Sequence, residues 1–178
     1  MEQAERLRIF LIHERTIELA AQVPSHTALP AEYSIRPACE GDLLSVFELL
    51  RPFVEQRKVL RRTRAEISAM LSTGFVAEFA GEVIGFSAVE IYSKKLSEIQ
   101  CLTVNPVHQG KGVGGDLVRH CVELARQRGV MEVMAISASE KFLHDLGFDY
   151  ALPDQKRALF FQLRSRDEVY RELELLGE

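Results

Sequence analysis

A glycine-rich turn between a predicted strand and an amphipathic helix is the feature that most constrains this fold. Residues 108–115 read HQGKGVGG, directly after an apolar run that Asn105 and Pro106 end. Downstream, a predicted helix over residues 112–128 carries apolar side chains at a spacing of 3.6 residues: Leu117, Val118, Cys121, Leu124 and Ala125. Residues 98–104 and 132–136 are predicted strands on either side. The pattern therefore indicates a right-handed strand–helix–strand crossover with parallel strands.

The rest of the chain predicts a mixed sheet flanked by helices. Periodicity and breakers predict further strands at residues 33–37, 75–79, 83–91 and 158–163, and helices at 2–23, 42–50, 64–71, 140–146 and 167–176. Thr63 and Glu66 have the spacing of a capping box for the third of these helices. The fold class is therefore α+β, with a helical extension and linker over residues 1–30 and one domain over residues 31–178.

Composition excludes several classes of function. The net charge of −4 over 178 residues argues against nucleic acid as the main partner, because phosphate binding needs a basic field. The three cysteines form no CxxC pair, and no cysteine or histidine cluster has metal-site spacing. No apolar run approaches the roughly 20 residues that span a bilayer. These features predict a cytoplasmic protein without a metal, a disulfide or a membrane segment.

Free backbone amides at the start of the long helix favour a phosphate ligand. Glycines let the backbone approach a ligand closely, and the helix dipole makes this end positive. A P-loop needs a Lys-Ser or Lys-Thr pair after its last glycine, which is absent here. A dinucleotide-binding GxGxxG is formally present at Gly110, Gly112 and Gly115, but Ala135, Ile136 and Ser137 stand where the acidic ribose ligand is expected.

A third pattern, Q-x-x-G-x-G at Gln109, Gly112 and Gly114, resembles motif A of the GNAT acetyltransferases. The resemblance covers about residues 34–166 and includes residues 142–148, FLHDLGF. It implies an acetyl-CoA-dependent transfer to a primary amine, with the coenzyme arm between two splayed parallel strands. The cofactor-binding residues that it implies are Cys101, Leu102, Thr103, Val104, Gln109, Gly110, Lys111, Gly112, Val113, Gly114, Gly115 and Phe142.

On the acceptor side, the chain is similar to the acetyltransferase domain of N-acetylglutamate synthases. Residues 50–66 and 156–164 carry this likeness, which implies that Arg61, Arg62 and Arg164 bind substrate carboxylates. The resemblance also makes Glu98 the general base and the amide near Leu102 an oxyanion donor. Leu143 stands where many relatives place a tyrosine acid. Cys101 is interpreted as a buried strand residue rather than a nucleophile.

Several alternatives stay open on sequence alone. The basic run over residues 57–64 could be a solvated face. The acceptor could be glutamate, another small amine such as a polyamine, or a protein lysine or N-terminus. The chain could also be a non-catalytic acyl-CoA-binding module, or a dinucleotide-binding domain. The leading segment could pack on the domain or on a second copy of the chain.

Overall fold

The computed structural model describes residues 33–137, 139–150 and 164–175. The strands are β1 (Ser34–Pro37), β2 (Gly74–Phe79), β3 (Glu82–Ile91), β4 (Leu96–Val104) and β5 (Glu132–Ala135). The helices are α1 (Leu43–Glu55), α2 (Arg64–Leu71), α3 (Val113–Gln127), α4 (Glu140–Asp145) and α5 (Arg166–Leu175). The predicted helix over residues 2–23, the linker to residue 30 and the predicted strand over residues 158–163 lie outside the described residues.

The described strands form a mixed sheet in the order β1-β2-β3-β4-β5. The pairs β1–β2, β2–β3 and β3–β4 are antiparallel, whereas β4 and β5 run parallel. This confirms the predicted mixed sheet and the crossover through α3. No helix in the described ranges has the length and hydropathy of a membrane span.

Two apolar layers cover the two faces of the sheet. On one face, Val46 of α1 and Ile67 of α2 pack against Phe86, which is fully buried. On the other face, Leu117 of α3 packs against Ala77 and Ile84. A Cβ atom added at Gly85 would lie 3.0 Å from Leu117 Cδ1 and 3.2 Å from Thr103 O. Glycine at this position therefore lets α3 lie close against the sheet.

The helix boundaries agree with the sequence except at α1. The capping box of α2 is confirmed, because Thr63 Oγ1 accepts from Glu66 N and Glu66 Oε2 accepts from Thr63 N. Helix α1 was predicted to end at residue 50 but continues through Pro52 to Glu55. Pro52 lacks the N–H group that would donate to the carbonyl oxygen of Glu48. Glu48 is exposed, so this oxygen can bind water instead.

An ion pair with a buried carboxylate joins β1 to the start of α1. Both Nη atoms of Arg36 donate to the carboxylate of Asp42, at 2.7 and 2.8 Å. The Asp42 side chain also accepts from Cys39 N at 2.8 Å, and the residue is 6% exposed. Hydrogen bonding from Arg36 is the main cause that lowers the pKa of Asp42 to about 2.

This pair predicts a loss of stability in acid. The folded-state pKa of Asp42 lies below the unfolded value of about 3.9, so the unfolded chain binds more protons as the pH falls. We expect the carboxylate to contribute roughly 2 kcal/mol above pH 4, and this contribution to disappear as the pH falls towards 2. Urea unfolding between pH 2 and pH 7 measures it. Asp42→Asn should flatten this part of the profile, and an unchanged slope would contradict the assignment.

Candidate functional site

The candidate site begins where β4 and β5 separate. The parallel register runs from Leu96 opposite Glu132 to Ile99 opposite Ala135, and β5 ends there. Strand β4 continues to Val104 and stays paired with β3 on its other side. Residues 100–104 therefore present backbone groups to a gap that no described strand fills, which confirms the predicted splay.

A bulge re-aims β4 at the start of this gap. Phe86 pairs with Thr103 and Ala88 with Gln100, so that Cys101 and Leu102 together face Ser87. Cys101 adopts a φ of +54°, which is unusual for a residue with a side chain. Bulges of this kind redirect backbone groups beside functional sites. The bulge therefore turns the main chain at Leu102, near the amide predicted as the oxyanion donor, and at Cys101, one of the predicted cofactor-binding residues.

The glycine loop lies at the far end of the same gap. Gly110 and Gly112 have φ values of +73° and +90°, and residues 110–112 are exposed. In the described chain, the first α3 amide that donates to a main-chain carbonyl is Asp116 N, to Gly112 O at 3.0 Å. The amides of residues 110–115 precede that hydrogen bond, so they remain available to a ligand at the positive end of the helix.

Three side chains hold the loop in place. Gln109 Nε2 donates to Val104 O at 2.8 Å and thereby ties the loop to the end of β4. Tyr33 donates to Asp116 Oδ2 at 2.6 Å, and burial followed by this bond raises the pKa of Tyr33 to about 12. Sequence reasoning assigned Gln109 to the cofactor and missed Tyr33, because a contact from β1 to α3 leaves no local sequence signal.

An aromatic ring stands beside the helix start. A Cβ atom added at Gly114 would lie 3.5 Å from Phe142 Cζ and 3.7 Å from Val104 Cγ2. The structure therefore brings Val104, Gly114 and Phe142 together where the gap meets the loop. Lys111 is exposed at the same turn, whereas Val113 and Gly115 are buried beneath it. The latter two can contribute only their backbone to a ligand.

The acceptor-side residues gather on the sheet face that carries α2. Glu98 of β4 is paired across the strands with Glu90 of β3, and its carboxylate accepts a short hydrogen bond from Tyr92. Arg62 Nη2 donates to Gln100 Oε1 at 2.9 Å, and Arg62 Nη1 lies 3.5 Å from Glu66 Oε1. The Nε atom of Arg62 is buried and has no hydrogen-bond partner among the described residues.

The other two predicted arginines lie near α5. Arg61 N donates to Tyr170 Oη at 3.0 Å, so a side chain of α5 holds the backbone at Arg61. Arg164 Nη2 donates to Glu172 Oε1 at 2.5 Å. A cleft of about 740 Å³ includes Arg62 and Glu90 in its lining. Arg62 contacts Gln100, which lies two residues after Glu98 on the same strand. The predicted roles of Arg61, Arg62 and Arg164 as carboxylate ligands all stay predictions.

The thiols and Leu143 take structural positions. Burial raises the pKa of Cys101, and it raises the pKa of Cys121 to about 12. Neither thiol therefore forms a ready nucleophile. Leu143 is buried in α4 at 8% exposure. Within the described part of the chain, no group of His, Cys, Asp and Glu side chains could hold a metal ion.

Comparison with known proteins decides the family. The family model described as "Acetyltransferase (GNAT) family" matches residues 42–148, which include β4, the glycine loop and α4. The chain belongs to the GNAT acetyltransferase family. The matched range therefore includes residues 100–104 along the gap, and also the glycine loop and Phe142 at its far end.

Similar proteins contain this domain as part of a longer chain. An amino-acid acetyltransferase from Neisseria meningitidis serogroup A is 32% identical over 130 residues, which are 72% of this chain and 30% of that protein. A structure of N-acetylglutamate synthase from Neisseria gonorrhoeae, complexed with coenzyme A and N-acetyl-glutamate, has a TM-score of 0.65 and 30% identity. That match covers 82% of this chain and 34% of the other. The chain thus spans about a third or less of these relatives' lengths.

A shorter structural neighbour supports the fold alone. Rv2747 from Mycobacterium tuberculosis, in complex with CoA and NLQ, has a TM-score of 0.64 at 21% identity. The match covers 80% of this chain and 81% of that one. The GNAT fold seen here therefore also occurs in a chain of comparable length.

Thiol labelling tests the interpretation of the cysteines. Cys39 is exposed, whereas Cys101 and Cys121 are buried. We expect DTNB to modify Cys39 rapidly in the native protein and to modify the other two thiols only after unfolding. Absorbance at 412 nm, with Cys39→Ser as the control, measures this. Rapid labelling of Cys101 in the Cys39→Ser variant would contradict a purely structural role.

Proposed function

We propose that this GNAT protein transfers the acetyl group of acetyl-CoA directly to the primary amine of a small acceptor that carries carboxylates, with glutamate the leading candidate. The observation that carries the proposal is the gap beside residues 100–104, which opens onto the exposed amides of the glycine loop. We assign this function to residues 31–178 and treat residues 1–30 as an extension.

The described residues fit the coenzyme. The gap offers backbone donors and acceptors to an extended chain, as the free edge of a sheet does. The amides of residues 110–115 suit a diphosphate, and Phe142 provides an apolar surface next to them. When bound, the coenzyme supplies an activated thioester carbonyl, and every other requirement of the reaction falls on the protein.

The protein's own groups have three tasks in this reaction. Glu98 removes a proton from the acceptor ammonium, either directly or through water, so that the nitrogen lone pair can attack. The amide near Leu102, which the bulge re-aims, stabilises the negative charge that develops on the carbonyl oxygen. A thiolate is a good leaving group, and the mechanism therefore needs no dedicated acid at the position of Leu143.

The acceptor class follows from the side chains next to Glu98. A guanidinium binds a carboxylate through two parallel hydrogen bonds, and the unpartnered Nε of Arg62 is one donor of such a pair. Arg62 and Glu98 lie on one sheet face, as a substrate with an anionic and a cationic end requires. The relatives' names point the same way, since one is an amino-acid acetyltransferase.

A pair of matched glycine variants tests the coenzyme site. Gly112 and Gly81 both have positive φ, +90° and +83°, and Gly81 lies in the turn between β2 and β3 with open space around it. Alanine should cost each about 1 kcal/mol of stability, because a side chain disfavours this backbone region. We expect Gly112→Ala alone to raise the Kd for acetyl-CoA by about tenfold or more, measured by isothermal titration calorimetry.

Equal affinities for the two glycine variants would contradict the placement of the diphosphate. Absence of any measurable binding of acetyl-CoA to the wild-type protein would refute the proposed function as a whole. Protection from thermal unfolding by NAD but not by CoA would favour a dinucleotide-binding domain instead.

Arginine variants test the acceptor class. Arg62→Ala should raise the KM for glutamate by about tenfold or more and leave the Kd for acetyl-CoA unchanged, because the guanidinium contacts Gln100 on the proposed acceptor side and not the glycine loop. The matched control is Arg64→Ala, since Arg64 is exposed and stacks over the ring of Phe47 at 5.5 Å. A coupled assay of thiol release, run with a panel of amino acids and polyamines, measures both variants.

The same acceptor panel separates the alternatives. Turnover confined to polyamines or peptides would refute the dicarboxylate proposal but retain the acetyltransferase. Acetyl-CoA binding without thiol release on any amine would instead indicate a non-catalytic binding module, an option consistent with the buried Leu143 in place of a tyrosine.

A further inference from the structure

Two side chains that the sequence did not single out connect the proposed base to the proposed substrate ligand. Tyr92 is the first residue after β3, and its backbone N–H donates to Leu96 O at 3.1 Å. Because Glu90 is paired with Glu98, the Tyr92 side chain reaches Glu98 diagonally across the two strands. The hydroxyl donates to Glu98 Oε2, which leaves the other carboxylate oxygen for a substrate or water.

Gln100 plays the corresponding part for the arginine. It is the next residue of β4 on the same face, it is 9% exposed, and its Oε1 accepts from Arg62 Nη2 at 2.9 Å. Burial and the hydrogen bond to Glu98 raise the pKa of Tyr92 to about 12, and hydrogen bonding with Gln100 acts in the opposite direction. Gln100 therefore lies within reach of both the guanidinium and the phenol.

We propose that Tyr92 and Gln100 are positioning residues that hold Glu98 and Arg62 at a fixed separation on one sheet face, matched to an acceptor with an amine at one end and a carboxylate at the other. The proposal rests on the function proposed above. It adds a physical basis for selecting the acceptor, because two side chains that hydrogen bonds hold in place select a length as well as a charge.

The proton balance of the step is simple. The acceptor's N–H bond breaks, its electron pair stays on nitrogen as the attacking lone pair, and the proton forms an O–H bond on the Glu98 carboxylate. Tyr92 keeps its own proton throughout and donates a hydrogen bond to Glu98. That bond holds the carboxylate in place while its other oxygen accepts the proton.

The charged groups around Glu98 come from two directions in the described structure. Glu90 of β3 and Tyr92, just after β3, face Glu98 from one side. On the α2 side, Arg62 donates to Gln100 on the same sheet face and lies 3.5 Å from Glu66. The register partner on β5 is Met134, which carries no charge. The hydrogen bond from Tyr92 therefore holds the Glu98 carboxylate in place next to the like charge of Glu90.

Kinetics of Tyr92→Phe test the base side of this network. We expect kcat to fall about tenfold and the KM for the acceptor to change less than twofold. The split follows because the Tyr92 hydroxyl positions the proposed base, whereas Arg62 is the proposed ligand of the acceptor. Tyr150→Phe, a change at a 70% exposed tyrosine beside His144, is the matched control and should leave both values unchanged.

Gln100→Met tests the other side. The variant keeps the side-chain length but loses the hydrogen bond to Arg62, so we expect the KM for the dicarboxylic acceptor to rise about fivefold while kcat changes less than twofold. The Kd for acetyl-CoA should stay at the wild-type value in both variants. Tyr92→Phe kinetics indistinguishable from Tyr150→Phe, or a wild-type KM in Gln100→Met, would overturn the proposal.

One readout needs no turnover and separates this inference from the proposed function. The difference in alkaline absorbance titration between wild type and Tyr92→Phe isolates a single phenol. We expect that phenol to titrate near pH 12 in the wild type and at a lower pH in a Glu98→Gln background, but still above 10 because burial, the largest cause, remains. If the Tyr92 phenol of the wild type titrates near pH 10, the positioning role of Tyr92 is refuted. If the phenol titrates near pH 12 but the protein transfers no acetyl group to any amine, the proposed function is refuted instead.

Discussion

The separation of β4 from β5 after Ile99 is the constraint on which the rest of the site depends. Parallel strands that stay paired satisfy each other's backbone groups, whereas separated strands leave one edge open. In this protein the end of the open edge, at Val104, lies next to Gly114 in the first turn of α3. The bulge at Cys101 and Leu102 keeps β4 attached to β3 while it turns the main chain there. The gap is thus built from backbone geometry rather than from reactive side chains.

Polar contacts fix the two ends of this gap in different ways. At the cofactor end, Gln109 bonds to the end of β4 and Tyr33 holds the carboxylate of Asp116. The positive end of the helix dipole attracts the Asp116 carboxylate as it would attract an anionic ligand. The hydrogen bond from Tyr33 fixes the position of this carboxylate. On the sheet face that carries α2, Tyr92 donates to Glu98 and Arg62 donates to Gln100.

Sequence patterns predicted the elements more fully than the contacts between them. The helical period of α3, the capping box at Thr63 and the glycine loop are local signals, and the structure agrees with each. The extension of α1 past Pro52 was missed because the local rule for proline ignores a carbonyl that water can satisfy. Tyr33, Tyr92 and Gln100 were missed for another reason, since each acts on a neighbouring strand or helix. Family resemblance suggested Arg62 and Glu98, but only three-dimensional structure places them on one face.

The central claim is that free amides at the glycine loop hold the coenzyme diphosphate beside the gap. Backbone amide NMR during titration with CoA tests it most directly, because each glycine of the loop reports separately. The account predicts saturable shifts that are largest at residues 110–115, together with smaller shifts along residues 100–104. Shifts confined to other surfaces, or none at saturating CoA, would contradict it.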